Sequence, residues 1–257
     1  MDSTAEARFS GIARLYGRDA LQRFRGARVM VVGIGGVGTW AAEALARTAV
    51  GRVDLVDLDE VCVTNTNRQL VALDSTVGRA KAEAMAERLR DIAPDIDARP
   101  TLRFFTEKTA DELLQPDIDV VIDAIDSVKH KCLLVQRCRD LGIPVVVSGG
   151  AGGRRDPGQV QSADLSEVKG DRLLFTLRKK LRQRHGFPRK GPFGVVAVYS
   201  SEPQVFPTAE GDVCERREAG TDNLRLDCAS GFGTASMVTG AFGLRAAHLA
   251  VDVLLRG

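Results

Sequence analysis

A glycine-rich segment at residues 33–38, GIGGVG, has the spacing of a loop that binds phosphate groups. Its glycines are Gly33, Gly35, Gly36 and Gly38. Glycines let a backbone approach a phosphate closely, and a following helix offers unpaired N–H groups and the positive end of its dipole. The pattern indicates a bound nucleotide but does not say which one. A glycine turn without a ligand is the alternative.

An acidic residue follows at the position expected for ribose recognition. Asp57 ends the next predicted strand, about 20 residues beyond the glycine loop, where a carboxylate accepts hydrogen bonds from ribose hydroxyls. NAD and ATP both carry such a ribose. The loop and this carboxylate together predict nucleoside binding without naming the cofactor.

Four donor-bearing side chains distinguish the two cofactors: Asn65, Asn67, Arg68 and Lys81. Arg68 can hold phosphate oxygens in a bidentate fork, and Lys81 adds a point charge. The asparagine amides can bind phosphate oxygens or metal-bound water. A nicotinamide needs a flat apolar slot, whereas a triphosphate needs this density of donors, so the set favours ATP. A solvated loop capped by its asparagines is the alternative.

A carboxylate after a later predicted strand is a candidate metal ligand. Asp126 follows the strand IDVVIDA at the end where open α/β sheets bind ligands. Facing a triphosphate, it would be a natural Mg²⁺ ligand, directly or through water. Asp123 is the competing choice, and the loop position favours Asp126. A turn-capping aspartate is the alternative for both.

The elements that must position these residues alternate between strand and helix patterns. We predict strands at residues 28–33, 52–57, 96–102, 118–124 and 143–147, and helices at 37–49, 78–92, 108–114 and 128–141. This alternation is typical of a Rossmann-like α/β fold with a mainly parallel sheet and helices on both faces. Residues 1–153, including an N-terminal helical segment, would form the ATP-binding region.

The pattern changes after residue 153, and residues 154–257 are predicted to form a smaller specificity lobe that continues the same fold. Strand-like pieces at 158–163 and 193–200 surround a basic helix at 172–185, and a glycine-rich helix follows from about residue 233. Residues 229–244 contain no charge, but they fall short of the roughly 20 apolar residues that a spanning helix needs. We expect a buried or interface helix there and no membrane association.

Composition excludes several other classes of protein. The chain has 257 residues, 44% of them hydrophobic and 27% charged, which is typical of a soluble globular protein. Its net charge of +2 neither requires nor excludes an anionic macromolecule as a partner, so a basic patch must be sought locally. Its five cysteines are odd in number and scattered, and no C-x-x-C pair occurs, which argues against a disulfide framework and a four-cysteine zinc site. The N-terminal residues have no apolar segment of a secretory signal, so we expect a cytoplasmic protein.

In order and spacing, the segments GIGGVG, DLDEV, TNTNRQ, VGRAK and DAIDS resemble the ubiquitin-activating-type adenylating superfamily, the ThiF, MoeB and HesA group. The likeness covers residues 14–153. It implies ATP and Mg²⁺ as cofactors, Arg68, Lys81 and Asp126 as catalytic residues, and attack of a carboxylate on the α-phosphate with release of pyrophosphate. The implied nucleotide-binding residues are Gly33, Gly35, Gly36, Gly38, Asp57, Asp59, Asn65, Asn67, Arg68, Lys81 and Asp126, with Asp126 also holding the metal.

Three further stretches resemble one branch of that superfamily, which modifies tRNA. They are ARLYG at 13–17, VSGGAGGRRDPGQVQ at 147–161 and LDCASGFGTASMVTG at 226–240. The resemblance implies ATP-dependent cyclisation, with loss of water, of the threonylcarbamoyl group on the adenosine next to the anticodon. The threonyl carboxylate would become an acyl-adenylate, and a side-chain nitrogen would close the ring as AMP leaves.

The remaining sequence offers further candidate site residues, and the resemblance also implies partners. The run RKKLRQRHGFPRK could neutralise several RNA phosphates, and a solvated helix face is the alternative. Its basic residues are Arg178, Lys179, Lys180, Arg182, Arg184, Arg189 and Lys190. Cys228 is the cysteine most open to a catalytic role as a thioester nucleophile, although a buried small residue is an equal alternative. A homodimer is implied, in which an N-terminal arginine, Arg14 or Arg8, reaches the partner's nucleotide, and a cysteine desulfurase or sulfur acceptor is a further partner.

Three other functions are consistent with parts of the sequence. A sulfur-carrier adenylyltransferase would act on the C-terminal Gly-Gly of a carrier protein, although the two C-x-x-C zinc pairs common in such enzymes are absent. An RNA-binding scaffold would keep the nucleotide fold without turnover. An NAD-dependent dehydrogenase would use only the glycine loop and the ribose acid.

Overall fold

A computed structural model describes residues 3–208, 211–215 and 232–256. Its centre is a seven-stranded sheet in the order β3-β2-β1-β4-β5-β7-β6. The strands are β1 (Arg28–Val32), β2 (Arg52–Val56), β3 (Asp97–Thr101), β4 (Val120–Asp123), β5 (Val145–Ser148), β6 (Val160–Asp164) and β7 (Val196–Ser200). All neighbours pair in parallel except β6, which is antiparallel to β7. The predicted Rossmann-like α/β fold is confirmed.

Helices cover both faces of this sheet. They are α1 (Ser3–Arg8), α2 (Ser10–Tyr16), α3 (Arg18–Gly26), α4 (Gly36–Arg47), α5 (Lys81–Ile92), α6 (Ala110–Leu113), α7 (Val128–Leu141), α8 (Arg172–Arg184) and α9 (Ser236–Arg256). A short hairpin of β8 (Phe206–Pro207) and β9 (Val213–Cys214) lies outside the main sheet. The sequence pattern predicted the main strands and helices but not this hairpin.

The core has two halves because the central strands are buried on both faces. On one side, α4, α5 and α9 pack through residues such as Leu45, Met85 and Phe242. On the other side, α7 and α8 pack through residues such as Leu134 and Leu177. Strands that are buried on both faces read as continuous runs of branched apolar residues, which is why the sequence pattern predicted them.

The apolar C-terminal segment forms a core helix. By length and composition, α9 is the helix among the described residues that could cross a membrane. It instead packs along α4, and an added Cβ at Gly243 would lie 2.5 Å from the carbonyl oxygen of Val37. Small residues thus allow the two helix backbones to approach closely, so the segment is apolar because it fills the core.

Parallel pairing brings the carboxyl ends of β1, β2, β4, β5 and β7 to one edge of the sheet, hereafter the carboxyl edge. The chain connects outward in both directions from β1 and β4, so strand order reverses between these two strands. In open α/β sheets, ligands bind in the crevice beside such a reversal. Continuation of the sheet into β7 and β6 means that residues beyond 153 help to build the same edge.

Candidate active site

The glycine loop connects β1 to α4 at the carboxyl edge, and its glycines have different roles. Gly33 has φ +93°, and a Cβ there would lie 2.8 Å from the carbonyl oxygen of Ala124. At Gly38 a Cβ would lie 1.8 Å from the carbonyl oxygen of Gly33. A Cβ at Gly35 would meet nothing within 4 Å. Packing of the chain therefore requires Gly33 and Gly38, whereas Gly35 leaves open space beside the first turn of α4.

Arg68 lies against this loop. A Cβ at Gly36 would lie 3.2 Å from Cγ of Arg68, so the arginine stem crosses the start of α4. Its Nη1 donates to the carbonyl oxygen of Thr64 and to Oδ1 of Asn67, each at 3.0 Å. The indole of Trp40 donates to the backbone oxygen of Arg68 at 3.1 Å. The structure thus places the stem of this charged residue beside the start of α4, and the indole of Trp40 fixes its backbone.

The two asparagines of this segment point in different directions. Asn65 is buried, and its Oδ1 accepts a hydrogen bond from the backbone N–H of Cys62 at 3.0 Å. Asn67 is exposed, and its Nδ2 donates to the carbonyl and hydroxyl oxygens of Thr234 at 2.8 and 2.9 Å. The first side chain holds its own turn. The second ties the loop to the segment that leads into α9.

Asp57, just after β2, holds the glycine loop through a hydrogen bond to its backbone. Its Oδ2 accepts from the backbone N–H of Ile34 at 2.6 Å, and its Oδ1 accepts from that of Asp59 at 2.8 Å. Burial raises the pKa of Asp57, although these two backbone donors oppose the shift. The more exposed carboxylate is that of Asp59, which forms a 3.0 Å ion pair with Nζ of the largely buried Lys81. A ribose at this strand end would therefore find two carboxylates, of which Asp59 is the more accessible.

The two aspartates after β4 occupy opposite environments. Asp123 is fully buried and pairs with the fully buried Lys131 at 2.9 Å. Its Oδ1 also accepts from the backbone N–H of Ile125 at 3.1 Å, and its buried Oδ2 has no hydrogen-bond partner among the described residues. Burial raises the pKa of Asp123, and Lys131 opposes that shift. Asp126 is exposed at the carboxyl edge, so of the two it is the carboxylate that a ligand can reach.

The basic run begins on α8 and continues into the loop that follows it. Two of its arginines are bound to backbone. Arg178 Nη1 donates to the carbonyl oxygens of Leu165, Ser166 and Val168, the last at 2.6 Å. Arg182 Nε donates to the carbonyl oxygen of Pro188 at 3.2 Å. Burial lowers the pKa of Arg178, which is consistent with a structural anchor.

The other members of the run are distributed along the length of the sheet. Lys179, Arg184, Arg189 and Lys190 are exposed, and Lys180 is partly buried. Arg139, near the end of α7, donates to the carbonyl oxygen of His185 at 2.8 Å, and this contact places the end of α8 beside the end of α7. Arg184, Arg189 and Lys190 therefore lie toward the edge opposite the glycine loop. The run is not one compact patch beside the site.

Of the two N-terminal arginines, Arg8 lies far from the glycine loop of its own chain. Arg8 donates to the carbonyl oxygen of Ile92 at 2.9 Å. Ile92 ends α5, about 16 Å from Lys81 at the other end of that helix. Arg14 is exposed on α2. Cys228, the other uncertain candidate, lies outside the described residues.

Arg154 is a buried arginine that the sequence pattern did not predict as a site residue, and it holds the carboxyl edge together beside β5 and β7. Arg154 Nε donates to the carbonyl oxygen of Gly150 at 3.0 Å, and its Nη1 donates to that of Ser200 at 2.7 Å and to that of Glu202. Burial lowers its pKa. Lys131 was missed in the same way. A charged residue in a glycine-rich or helical segment carries no local sign that it is buried, so only the fold identifies both residues.

Comparisons with known proteins cover nearly the whole chain. The sequence pattern of the ThiF family matches residues 9–255. The chain is 48% identical over 250 residues to the tRNA threonylcarbamoyladenosine dehydratase of Escherichia coli (strain K12), covering 96% of this chain and 93% of that protein.

Solved structures show the same relationship. A structure named TcdA (CsdL) superposes with a TM-score of 0.90 at 45% identity, covering 99% of this chain and 96% of that one. A structure of the E. coli tRNA N6-threonylcarbamoyladenosine dehydratase, TcdA, in complex with ATP superposes with a TM-score of 0.88 at 44% identity, covering 99% and 96% of the two chains.

Proposed function

This chain belongs to the ThiF family, and we propose that it is an ATP-dependent tRNA threonylcarbamoyladenosine dehydratase. The observation that carries this proposal is the close sequence likeness to a protein of that name along almost the full length of both chains. The site geometry agrees, since the glycine loop, Arg68, Lys81 and Asp126 all belong to one edge of the sheet.

The reaction removes one water from the modified nucleoside. An oxygen of the threonyl carboxylate attacks the α-phosphorus of ATP, and the bond to the leaving pyrophosphate breaks. A nitrogen of the threonylcarbamoyl group then attacks the activated carbonyl carbon and loses its proton. The carbon–oxygen bond breaks, and AMP leaves with the former carboxylate oxygen, so the nucleoside is cyclised and shorter by H₂O.

The residues of this chain contribute binding and charge to these steps. The open space at Gly35 and the N-terminal N–H groups of α4 receive phosphate oxygens. Arg68 and Lys81 balance the negative charge that gathers on the α-phosphate and on pyrophosphate as the bond breaks. The Asp59–Lys81 pair keeps the ammonium group directed at the carboxyl edge.

Asp126 would hold Mg²⁺. Among the described residues, no group of three or more His, Cys, Asp or Glu side chains is close enough to bind a metal by itself. Mg²⁺ at nucleotide sites is held by one or two carboxylates together with substrate phosphates, so a single exposed carboxylate beside a triphosphate fits. When bound, the ion neutralises phosphate charge and polarises the leaving oxygen.

The working unit is a homodimer in which Arg14 of one subunit reaches the nucleotide of the other. Within one chain, Arg8 is held at the end of α5 that lies farther from Lys81, whereas Arg14 is exposed. Mixing Arg14→Ala with Arg68→Ala protein tests this arrangement. Each variant alone is inactive, and a mixed dimer contains one site with both arginines, so about a quarter of wild-type activity returns in a random mixture. Failure to regain activity in a mixture shown to exchange subunits contradicts the shared site.

Residues 154–257 supply the tRNA specificity of this cytoplasmic enzyme. They contain the basic helix α8 and complete the carboxyl edge through β7. A cysteine desulfurase or sulfur acceptor would bind as a separate partner, and a pull-down with and without tRNA would detect it.

The decisive experiment measures nucleosides by mass spectrometry after incubation with modified tRNA, ATP and Mg²⁺. We expect a mass loss of one water together with AMP and pyrophosphate. Arg68→Ala abolishes the product, whereas Arg99→Ala, which removes an exposed arginine paired with Asp97 on an edge strand, does not. If tRNA is unchanged and pyrophosphate exchange depends instead on a carrier protein ending in Gly-Gly, the dehydratase assignment is wrong. Full activity of Cys228→Ala would favour direct attack by nitrogen over a thioester.

A further inference from the structure

An exposed aromatic side chain lies between two exposed cations in the first two turns of α8. Phe175 is 57% exposed. Arg172 and Lys179, three residues before it and four after it, are also exposed and lie on the same side of the helix. The opposite side of α8 is buried in the core through Leu174 and Leu177. The helix is therefore held in place by its buried side. Its exposed side presents a stripe of Arg172, Phe175 and Lys179 to solvent.

The start of this stripe is next to the carboxyl edge. Asp171 caps α8 through a 2.9 Å hydrogen bond from the backbone N–H of Leu174. Its other oxygen accepts from the backbone N–H of Gly150, also at 2.9 Å, and Gly150 follows the carboxyl end of β5. Phe175 is about 6 Å along the helix from Asp171. The ring thus lies close to the edge that carries the nucleotide-binding residues, and α8 runs away from it toward the opposite edge.

The ring of Phe175 is supported by a fixed neighbour. The guanidinium carbon of Arg178 lies 5.7 Å from the ring centroid, within the range of a cation–π contact. Arg178 is itself anchored to the backbone oxygens of the segment that precedes α8, including that of Val168 at 2.6 Å. An aromatic ring that is held before binding loses little conformational freedom when it stacks on a ligand.

We propose that Phe175 stacks on an unpaired base of the tRNA anticodon loop, with Arg172 and Lys179 on the adjoining phosphates. This inference rests on the proposed function. Single-stranded RNA is recognised by aromatic rings that stack on bases and by nearby cations that bind the backbone, which is the combination on this stripe. The modified adenosine is next to the anticodon, and a base held at Phe175 would leave the neighbouring nucleoside free to reach the carboxyl edge. The stem then follows α8 away from the site.

Binding of an anticodon stem–loop RNA to the full-length protein tests the proposal. We expect Phe175→Ala to bind about 5- to 100-fold more weakly, since stacking on one base has that effect, and Phe175→Trp to restore binding. Leu141→Ala removes an exposed apolar side chain at the end of α7 and serves as the matched control without effect. Equal RNA affinity of wild type and Phe175→Ala overturns the proposal. A loss of protein–protein binding in the variant would then assign Phe175 to a protein interface instead.

Salt dependence separates stacking from charge. Phe175→Ala should leave the slope of log Kd against log salt unchanged, while Lys179→Ala should flatten it by about 0.7 because one phosphate contact is lost. Phe175→Trp also gives the protein a second tryptophan, since Trp40 is the one tryptophan of the chain. Added RNA should quench its fluorescence more than that of wild type. Absence of extra quenching in a Phe175→Trp protein that binds RNA contradicts stacking.

Kinetics distinguish this inference from the proposed function. Phe175→Ala should raise KM for tRNA and leave kcat and the thermal shift by ATP unchanged, because the ring does not touch the reacting atoms. If wild-type protein does not dehydrate tRNA, the proposed function fails, while the binding experiments still decide whether Phe175 contacts RNA. A normal KM for tRNA in Phe175→Ala refutes this inference but leaves the proposed function standing.

Discussion

Replacing Lys131 with methionine should destabilise the protein strongly and in a pH-dependent way. The ammonium group is 2.9 Å from Oδ1 of Asp123, and both side chains are fully buried. At an effective dielectric constant of about 20, their attraction is about 6 kcal/mol. Part of that energy offsets the cost of burying two charges, and removing one partner of a buried pair destabilises proteins by about 3–5 kcal/mol. Lys131→Met keeps an unbranched apolar chain of similar length, so the loss of charge dominates over the loss of packing.

The pH dependence follows from the raised pKa of Asp123. Burial favours the neutral acid, and Lys131 opposes this effect, so the pKa of Asp123 rises further in the variant. A carboxyl group whose pKa is raised by folding makes its full contribution to the stability of the folded state below its unfolded pKa. That contribution is lost as pH rises through the folded pKa. The difference between wild type and Lys131→Met should therefore be largest at pH 8 and smaller at pH 5.

Thermal unfolding at one protein concentration measures this difference. We expect the Tm of Lys131→Met to fall by about 6–20 °C at pH 8, since each kcal/mol corresponds to about 2–4 °C for a domain of this size. Adding Asp123→Asn should recover much of the loss, because no uncompensated charge remains. An equal loss at pH 5 and pH 8 without recovery in the double variant would show that packing, and not charge, is responsible. AMP formation should fall with stability, since Asp123 also holds the backbone leading to Asp126.

Two further predictions follow from contacts at the glycine loop and on α8. Gly38→Ala should lower the Tm because its Cβ would collide with the carbonyl oxygen of Gly33, whereas Gly35→Ala should keep the Tm but bind ATP more weakly, as measured by calorimetry. An unchanged ATP affinity in Gly35→Ala would mean that phosphate does not approach there. Arg178→Ala should lower the Tm by several degrees because three carbonyl oxygens lose their donor, while Lys179→Ala should keep the Tm and weaken only RNA binding. Equal Tm values for these two variants would contradict the structural role of Arg178.

Local patterns determined much of the architecture. Alternating runs of branched apolar residues and helix-forming segments predicted the order of strands and helices, and the helix at 128–141 has the predicted bounds. The glycine loop was also predictable, because its spacing reflects steric demands within a few residues. These features depend on residues that are close together in the chain, so they can be predicted from the sequence alone.

Tertiary structure decided which polar residues are buried in the fold and which remain exposed. Asn65 and Asn67 are two residues apart, yet one holds its own turn and the other contacts Thr234, far along the chain. Arg178 and Lys179 are adjacent, yet the first is bound to backbone oxygens and the second is exposed. The direction of each side chain depends on partners from distant segments and on the cost of burying an unpaired charge. The residue types determined what chemistry was available, and packing decided which of those residues remain open to perform it.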